Sequence, residues 1–192
     1  NVYVAGAITR GLKGRELSDL ESLAAAGVVL FTDDGEAVMN AELMLKAMYR
    51  ARELNVPVAP HCEDRDLAKH GVMNDGPLAA RLGLPGIPAV AEEVMVARDL
   101  VLAKATGARV HITHLSTAGS LELVRAARSQ GIRVTCDVTP HHLVLTEEAV
   151  AELGANAKMY PPLRTEADVA ALRAGLRDGS VDAIATDHAP HT

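Results

Sequence analysis

At 192 residues and 48% hydrophobic content, the chain is long enough for one substantial core and too apolar to be disordered. Its net charge of −6, with Lys and Arg scattered rather than clustered, excludes the basic footprint of a nucleic-acid binder. No apolar run approaches the roughly 18 residues of a membrane helix and no leader pattern opens the chain, while Cys62 and Cys136 are too few and too distant for a disulfide framework, so the expectation is a cytoplasmic protein with reduced thiols.

The first apolar run, residues 2–8, has strand character, and Leu17, Leu20, Leu23 and Ala24 then form a helical stripe closed by Gly27. Residues 28–32 predict a second strand. Asn40 is placed to cap a helix whose Leu43, Ala47, Ala51 and Leu54 share one face, and residues 56–60 predict a third strand. A long connection, 63–89, precedes a helix in which Val94, Ala97 and Val101 repeat the helical spacing before Gly107. Strand 109–115 follows, then a helix carrying Leu121 and Val124 before Gly131, then strand 132–138. A second long connection, 139–164, leads to Thr165 and Asp168, a capping-box pair ahead of Val169, Leu172 and Leu176, and residues 181–186 predict the last strand. Most of the strands are short and continuous in their apolar character, as in parallel strands covered on both faces.

Alternating strands and helices suit either an open doubly wound sheet or a closed barrel. Four polar residues bear on the choice. Asp34, His61, His114 and Asp187 each stand just past an apolar run, in VVLFTDD, VPVAPH, RVHITH and DAIATD. Open sheets draw ligand-binding residues from two or three strands at a switch point, whereas a barrel gathers them from many strand ends on one rim. The expectation is therefore a partial (β/α)8 TIM-type barrel, an α/β fold with about six βα units in a single domain spanning 1–192. Such a remnant leaves two strand edges open, and the chain begins at Asn1 and stops after a strand at Thr192, so an internal fragment of a catalytic barrel is expected.

Two carboxylates and two imidazoles are ligands suited to zinc, which in catalysis keeps a position open for water. Taken singly, each has a plainer reading as a helix cap, turn former or hydrogen-bonded structural residue. His111 lies inside its strand three residues before His114 and is expected to point the opposite way. Cys62, beside His61, reads as a small buried residue.

The segments FTDDG (31–35), HCED (61–64), HITHLST (111–117), PPLR (161–164) and ATDHAPH (185–191), with GAIT (6–9) and GANAKM (154–159), together resemble dihydroorotases of the amidohydrolase superfamily, in order and through essentially the whole chain. The resemblance implies a zinc-dependent, reversible cyclisation of N-carbamoyl-L-aspartate to dihydroorotate in pyrimidine biosynthesis, with two zinc ions, a hydroxide bridging them, and Asp187 as general acid and base. It implies that Asp34 takes the bridging place filled by a carboxylated lysine elsewhere in the superfamily, with Asp33 its neighbour. His61 and His114 would hold one metal, Asp187 would touch the other, and His191 would contact substrate. Arg164 is a further candidate for the substrate's negative charge. Tyr160 stands where the family normally has a substrate-binding Asn, and the upstream HxH pair of the family would precede Asn1. The implied partners are a small-molecule substrate and either a second copy or aspartate transcarbamoylase. Two alternatives stay open: a hydantoinase or allantoinase relative, and a non-catalytic dihydroorotase-like subunit supporting aspartate transcarbamoylase.

Overall fold

A computed structural model describes residues 1–189. It begins with strand β1 (Ala5–Gly6), helix α1 (Leu20–Ala25), strand β2 (Leu30–Phe31) and helix α2 (Ala41–Glu53). Helix α1 ends as its glycine foretold, with Gly27 at φ 90 just past the last turn. Asn40 caps α2 by accepting the Leu43 amide at 3.0 Å, and α2 buries Met44, Ala47, Met48 and Ala51. Next come α3 (Arg65–Ala68), β3 (Met73–Asn74), α4 (Pro77–Leu82) and β4 (Gly86–Ile87), then α5 (Val90–Thr106), β5 (Val110–Ile112), α6 (Ala118–Ser129) and β6 (Val134–Val138). The chain closes with α7 (Pro140–Val144), α8 (Glu148–Leu153), α9 (Glu166–Asp178) and β7 (Ala183–Ile184). Thr165 and Asp168 form the expected capping box at the start of α9.

The barrel strands run parallel and in chain order. β1 pairs with β2 in the register Ala5↔Leu30, and β5 with β6 in the register Val110↔Val134. β6 pairs with β7 through Asp137↔Ala183. Val58, in the third predicted strand, bridges Phe31 on one side and Val110 on the other, which joins the two halves into one curved sheet. Its backbone is satisfied by Val58 N–H to the Arg109 carbonyl at 3.0 Å and His111 N–H to the Val58 carbonyl at 2.9 Å. The core beneath is mostly aliphatic, with one aromatic ring: Ile8, Phe31, Met44, Val58, Val110, Ile112, Leu121, Val124, Cys136, Val138 and Leu172 are all buried. The middle strands are covered as expected, but β7 is exposed at both Ala183 and Ile184 and β1 at Ala5, because these edges have no covering element among the described residues. The strand ends at the carboxyl side are where a barrel holds its chemistry.

Two expectations need correction. Val94 and Val101 do not face the core: they are 42% and 66% exposed, and α5 buries Ala91, Glu92, Met95, Val96, Asp99, Leu100 and Ala103 instead. Hydropathy misleads here because the buried face carries two carboxylates with dedicated partners. The stretches 63–89 and 139–164 are also not plain connections. The first holds α3, β3, α4 and β4, the second α7, α8 and a 3-10 turn at Gly154–Ala157. Met73, Leu78 and Ala79 of the first pack with Ala149, Val150, Ala157 and Leu163 of the second into a small separate core, so the two excursions form one lobe.

Candidate metal centre

The site is built from strand ends upward. After β2 the paired aspartates divide the labour. Asp33 is buried and accepts the Thr9 amide at 2.9 Å on Oδ1, while the Thr9 hydroxyl donates to Oδ2, so it ties the segment after β1 to the end of β2. Asp34 carries the carboxylate that faces the histidines. Its turn is stabilised locally by Asp34 N–H donating to Thr32 Oγ1 at 3.0 Å and by Gly35 N–H donating to Asp34 Oδ1 at 2.9 Å. Gly35 at φ 84 permits that turn.

His61 and His114 are 7% and 6% exposed, at the ends of the third strand and of β5. His61 Nδ1 and His114 Nε2 are 3.1 Å apart. Asp34 Oδ1 lies 3.2 Å from His114 Nε2 and 3.3 Å from His61 Nδ1. The two rings meet edge to face, with an interplanar angle of 72°. Three donor atoms around one zinc at about 2.1 Å in tetrahedral array would stand about 3.4 Å apart, so the triangle has the dimensions of one face of such a coordination sphere. A carboxylate oxygen with two imidazole nitrogens is also the right chemistry for that ion.

Electrostatics at this triangle favour positive charge. Burial pulls the His114 imidazole down, but the hydrogen bond to Asp34, with the charges of Asp34, Asp187 and Glu92, outweighs it and leaves the ring above its ordinary value. The hydrogen bonds from His114 and His61 hold the Asp34 carboxyl far below the usual carboxylate range.

Asp187 stands outside the triangle. It is exposed at the end of β7, and its carboxylate is near enough for its charge to act on both His114 and His141. Asp187 and His114 share a feature that is uncommon in a residue other than Gly: positive φ, 50 and 40 respectively. Tyr160 is 44% exposed and donates its hydroxyl to the Gly71 carbonyl at 3.0 Å, a tie between the two excursions. Arg164 is 1% exposed: Nε donates to Ser116 Oγ at 3.0 Å, and Nη1 to Asn74 Oδ1 at 2.9 Å and to the Ile87 carbonyl at 2.7 Å. Its guanidinium is buried with Nε and Nη1 engaged, and Nη2 takes no part in these bonds. His191 lies outside the described residues.

Sequence reasoning passed over two buried acids. Glu92 on α5 accepts the amides of Ser116 and Thr117, each at 3.2 Å, together with both hydroxyls, and so fixes the loop that leaves His114. Asp137 on β6 accepts the His114 amide and His111 Nε2. A carboxylate inside an otherwise apolar run was the available signal for Asp137. Cys62 meets its plainer reading. It is buried, and burial, then the nearby charges of Asp99 and Glu92, push its thiol well above the ordinary value.

The Dihydro-orotase-like family model matches residues 1–120. A dihydroorotase of Pelotomaculum thermopropionicum is 57% identical over 192 residues, covering 100% of this chain and 45% of that protein. A dihydroorotase of Caldanaerobacter subterraneus subsp. tengcongensis is 53% identical over 191 residues, covering 100% of this chain and 44% of that protein. The chain thus spans less than half the length of these curated relatives. Among solved structures, a D-hydantoinase superposes with a TM-score of 0.81 at 20% identity, covering 98% of this chain and 43% of its own. A dihydropyrimidinase from Brevibacillus agri gives 0.76 at 23%, covering 92% and 42%. These two likenesses speak to the fold alone.

Proposed function

The chain belongs to the dihydroorotase-like family, and on that premise we propose that the whole protein is a metal-dependent dihydroorotase, interconverting N-carbamoyl-L-aspartate and dihydroorotate. The observation that carries this reading is the triangle of Asp34, His61 and His114, with its spacing of 3.1–3.3 Å. These three residues come from the FTDDG, HCED and HITHLST segments, which supports the reading. The hydantoinase alternative is supported by structural likeness at 20% identity, whereas relatives above 50% identity are named dihydroorotases. A non-catalytic subunit would have no need of the convergent donors.

In this reading zinc is the metal, Asp34, His61 and His114 are the residues of this chain that would hold it, and Asp34 would be shared with a second ion in the whole enzyme. A metal bound here supplies a Lewis acid and brings the pKa of water from 15.7 down to about 7. The chain's own residues do the rest. His61 Nδ1 and His114 Nε2, which share Asp34 Oδ1 as a neighbour here, would give up the protons that face it and offer lone pairs to a bound metal, in a buried site where charge interactions are strong. Asp187, exposed on the rim, takes a proton on its carboxylate during hydrolysis and returns it to the departing amide nitrogen; ring closure reverses both transfers. Asp187 holds a positive φ at a backbone cost of about 1–2 kcal/mol, the kind of strain that collects at functional sites. Tyr160 and His191 are assigned to the substrate side. Arg164, through Ser116 and Asn74, holds the wall.

Asp187→Asn in full-length protein tests the assignment. Zinc content should stay near that of the unaltered protein while ring closure slows by about 10²–10⁴-fold. Unchanged turnover, or a full-length metal-loaded protein that opens another cyclic amide and leaves dihydroorotate untouched, would defeat the reading.

A further inference from the structure

His114 reaches the triangle through a backbone that strands do not ordinarily adopt. The β5–β6 ladder runs in register as far as Ile112↔Cys136, and at His114 the backbone turns to φ 40. A buried amide turned out of the ladder needs another acceptor, since leaving it unmet costs about 1–3 kcal/mol. Asp137 provides one: its Oδ1 accepts the His114 amide at 2.8 Å. Its other groups are equally committed. Oδ2 accepts His111 Nε2 at 2.8 Å, and its backbone carbonyl accepts the Leu115 amide at 2.9 Å. His111 in turn has Nδ1 at 2.7 Å from Thr135 Oγ1, which fixes the ring plane. Asp137 itself is only 5% exposed. The triangle thus rests on a bracket of three side chains, none of which belongs to it.

We infer that Asp137 is a positioning residue that locks His114 in its left-handed conformation and so sets the Nε2 atom against His61 and Asp34, with His111 holding the carboxylate in place. The inference rests on the reading of His114 as a metal ligand. It differs from the usual support of a ligating histidine, in which a carboxylate holds the free ring nitrogen. Here the carboxylate acts on the backbone.

Asp137→Asn and Asp137→Ala separate hydrogen bonding from simple filling of space. The amide oxygen of Asn still accepts from His114, and its amide nitrogen can face His111 Nε2 if the ring moves its proton to Nδ1, where the Thr135 hydroxyl can accept as well as donate. Zinc affinity of the full-length protein, read by competition with a chromogenic chelator, should fall about 10–100-fold in Asp137→Ala and stay within about 3-fold in Asp137→Asn. In the metal-free protein, hydrogen–deuterium exchange of a peptide covering residues 110–116 should quicken in Asp137→Ala and not in Asp137→Asn. His111→Ala should give an intermediate loss of zinc. The inference is overturned if folded Asp137→Ala binds zinc as the unaltered protein does with unchanged exchange, or if Asp137→Asn loses zinc as severely as Asp137→Ala. Should Asp137→Ala fail to fold, the Asn and His111→Ala variants decide it: an Asn variant that binds zinc no better than His114→Ala overturns it. His114→Ala tells the two readings apart. If that variant keeps zinc, the metal assignment falls, while the exchange of residues 110–116 still reports whether Asp137 holds the backbone.

Discussion

The rim where Asp34, His61 and His114 meet and the lobe built from the two excursions each bury a histidine, and the two rings are driven in opposite directions. His114 is raised because acids surround it and outweigh its burial. His142 is pulled down to about 4, by burial first and then by the charge of His141. Its Nε2 lies against the carbonyls of Pro161 at 3.1 Å and Pro162 at 3.2 Å, and its Nδ1 against the Thr139 hydroxyl at 2.8 Å, so both nitrogens are spent on neighbours within the lobe. Arg164 follows the same logic, with its guanidinium enclosed between β3, β4 and the loop after β5. Burial alone therefore does not mark a ligand. What marks the rim is donor atoms that face one another with no protein partner of opposite kind sufficient for all of them.

This contrast can be broken most directly at His114. Replacing it with Ala in full-length protein should weaken zinc binding by more than about 100-fold, beyond the range of supporting residues, with secondary structure by circular dichroism preserved. Zinc retained at full affinity would place the metal elsewhere. In the lobe the effect should fall on stability instead. Arg164→Met leaves buried polar groups of Ser116 and Asn74 without their partner and removes a positive charge that acts on Glu92, and should cost about 3–5 kcal/mol in denaturant unfolding while zinc affinity changes by no more than a few-fold. A large loss of kcat/KM with no loss of stability would return Arg164 to the substrate.

The smallest expected effect sharpens the comparison through pH. His142 is neutral in the fold with a value near 4, below the 6.5 of an unfolded histidine, so its contribution is whole above about pH 6.5 and is lost as pH falls through 4. That displacement corresponds to about 3 kcal/mol. Asp99 works in the other direction: burial pushes it up to about 6, so its contribution is present below about pH 4 and declines as pH rises to 6. The difference between the unaltered protein and His142→Gln isolates the histidine. Urea midpoints of the two should diverge less at pH 4.5 than at pH 7.5, and a constant gap would show that His142 titrates normally.

Much of the frame was legible from residue order. The six apolar runs all carry strand or bridge pairing, Asn40 and the Thr165–Asp168 pair cap the helices they were expected to cap, and Gly27 ends α1. These are local matters, governed by hydrogen bonds and backbone freedom within a few residues of each position. The face of α5 was misread because Glu92 and Asp99 count as polar in any periodicity, although their charges are met by Ser116, Thr117 and Arg98 from outside or beside the helix. The lobe was read as loop because its elements are short, as few as two residues in a strand, and gain stability only by packing across the two excursions.

By itself, then, residue order determined an α/β chain of parallel strands and the kinds of side chain at each strand end, since strand periodicity and capping are short-range physics. Only the folded structure decided that Asp34, His61 and His114, separated by as many as 80 residues, bring donor atoms to within 3.3 Å, that Asp187 stays at the rim, and that Arg164 is closed in. Those outcomes depend on how the strands pair side by side and on which buried charges find partners, and neither is written in any local stretch of the chain.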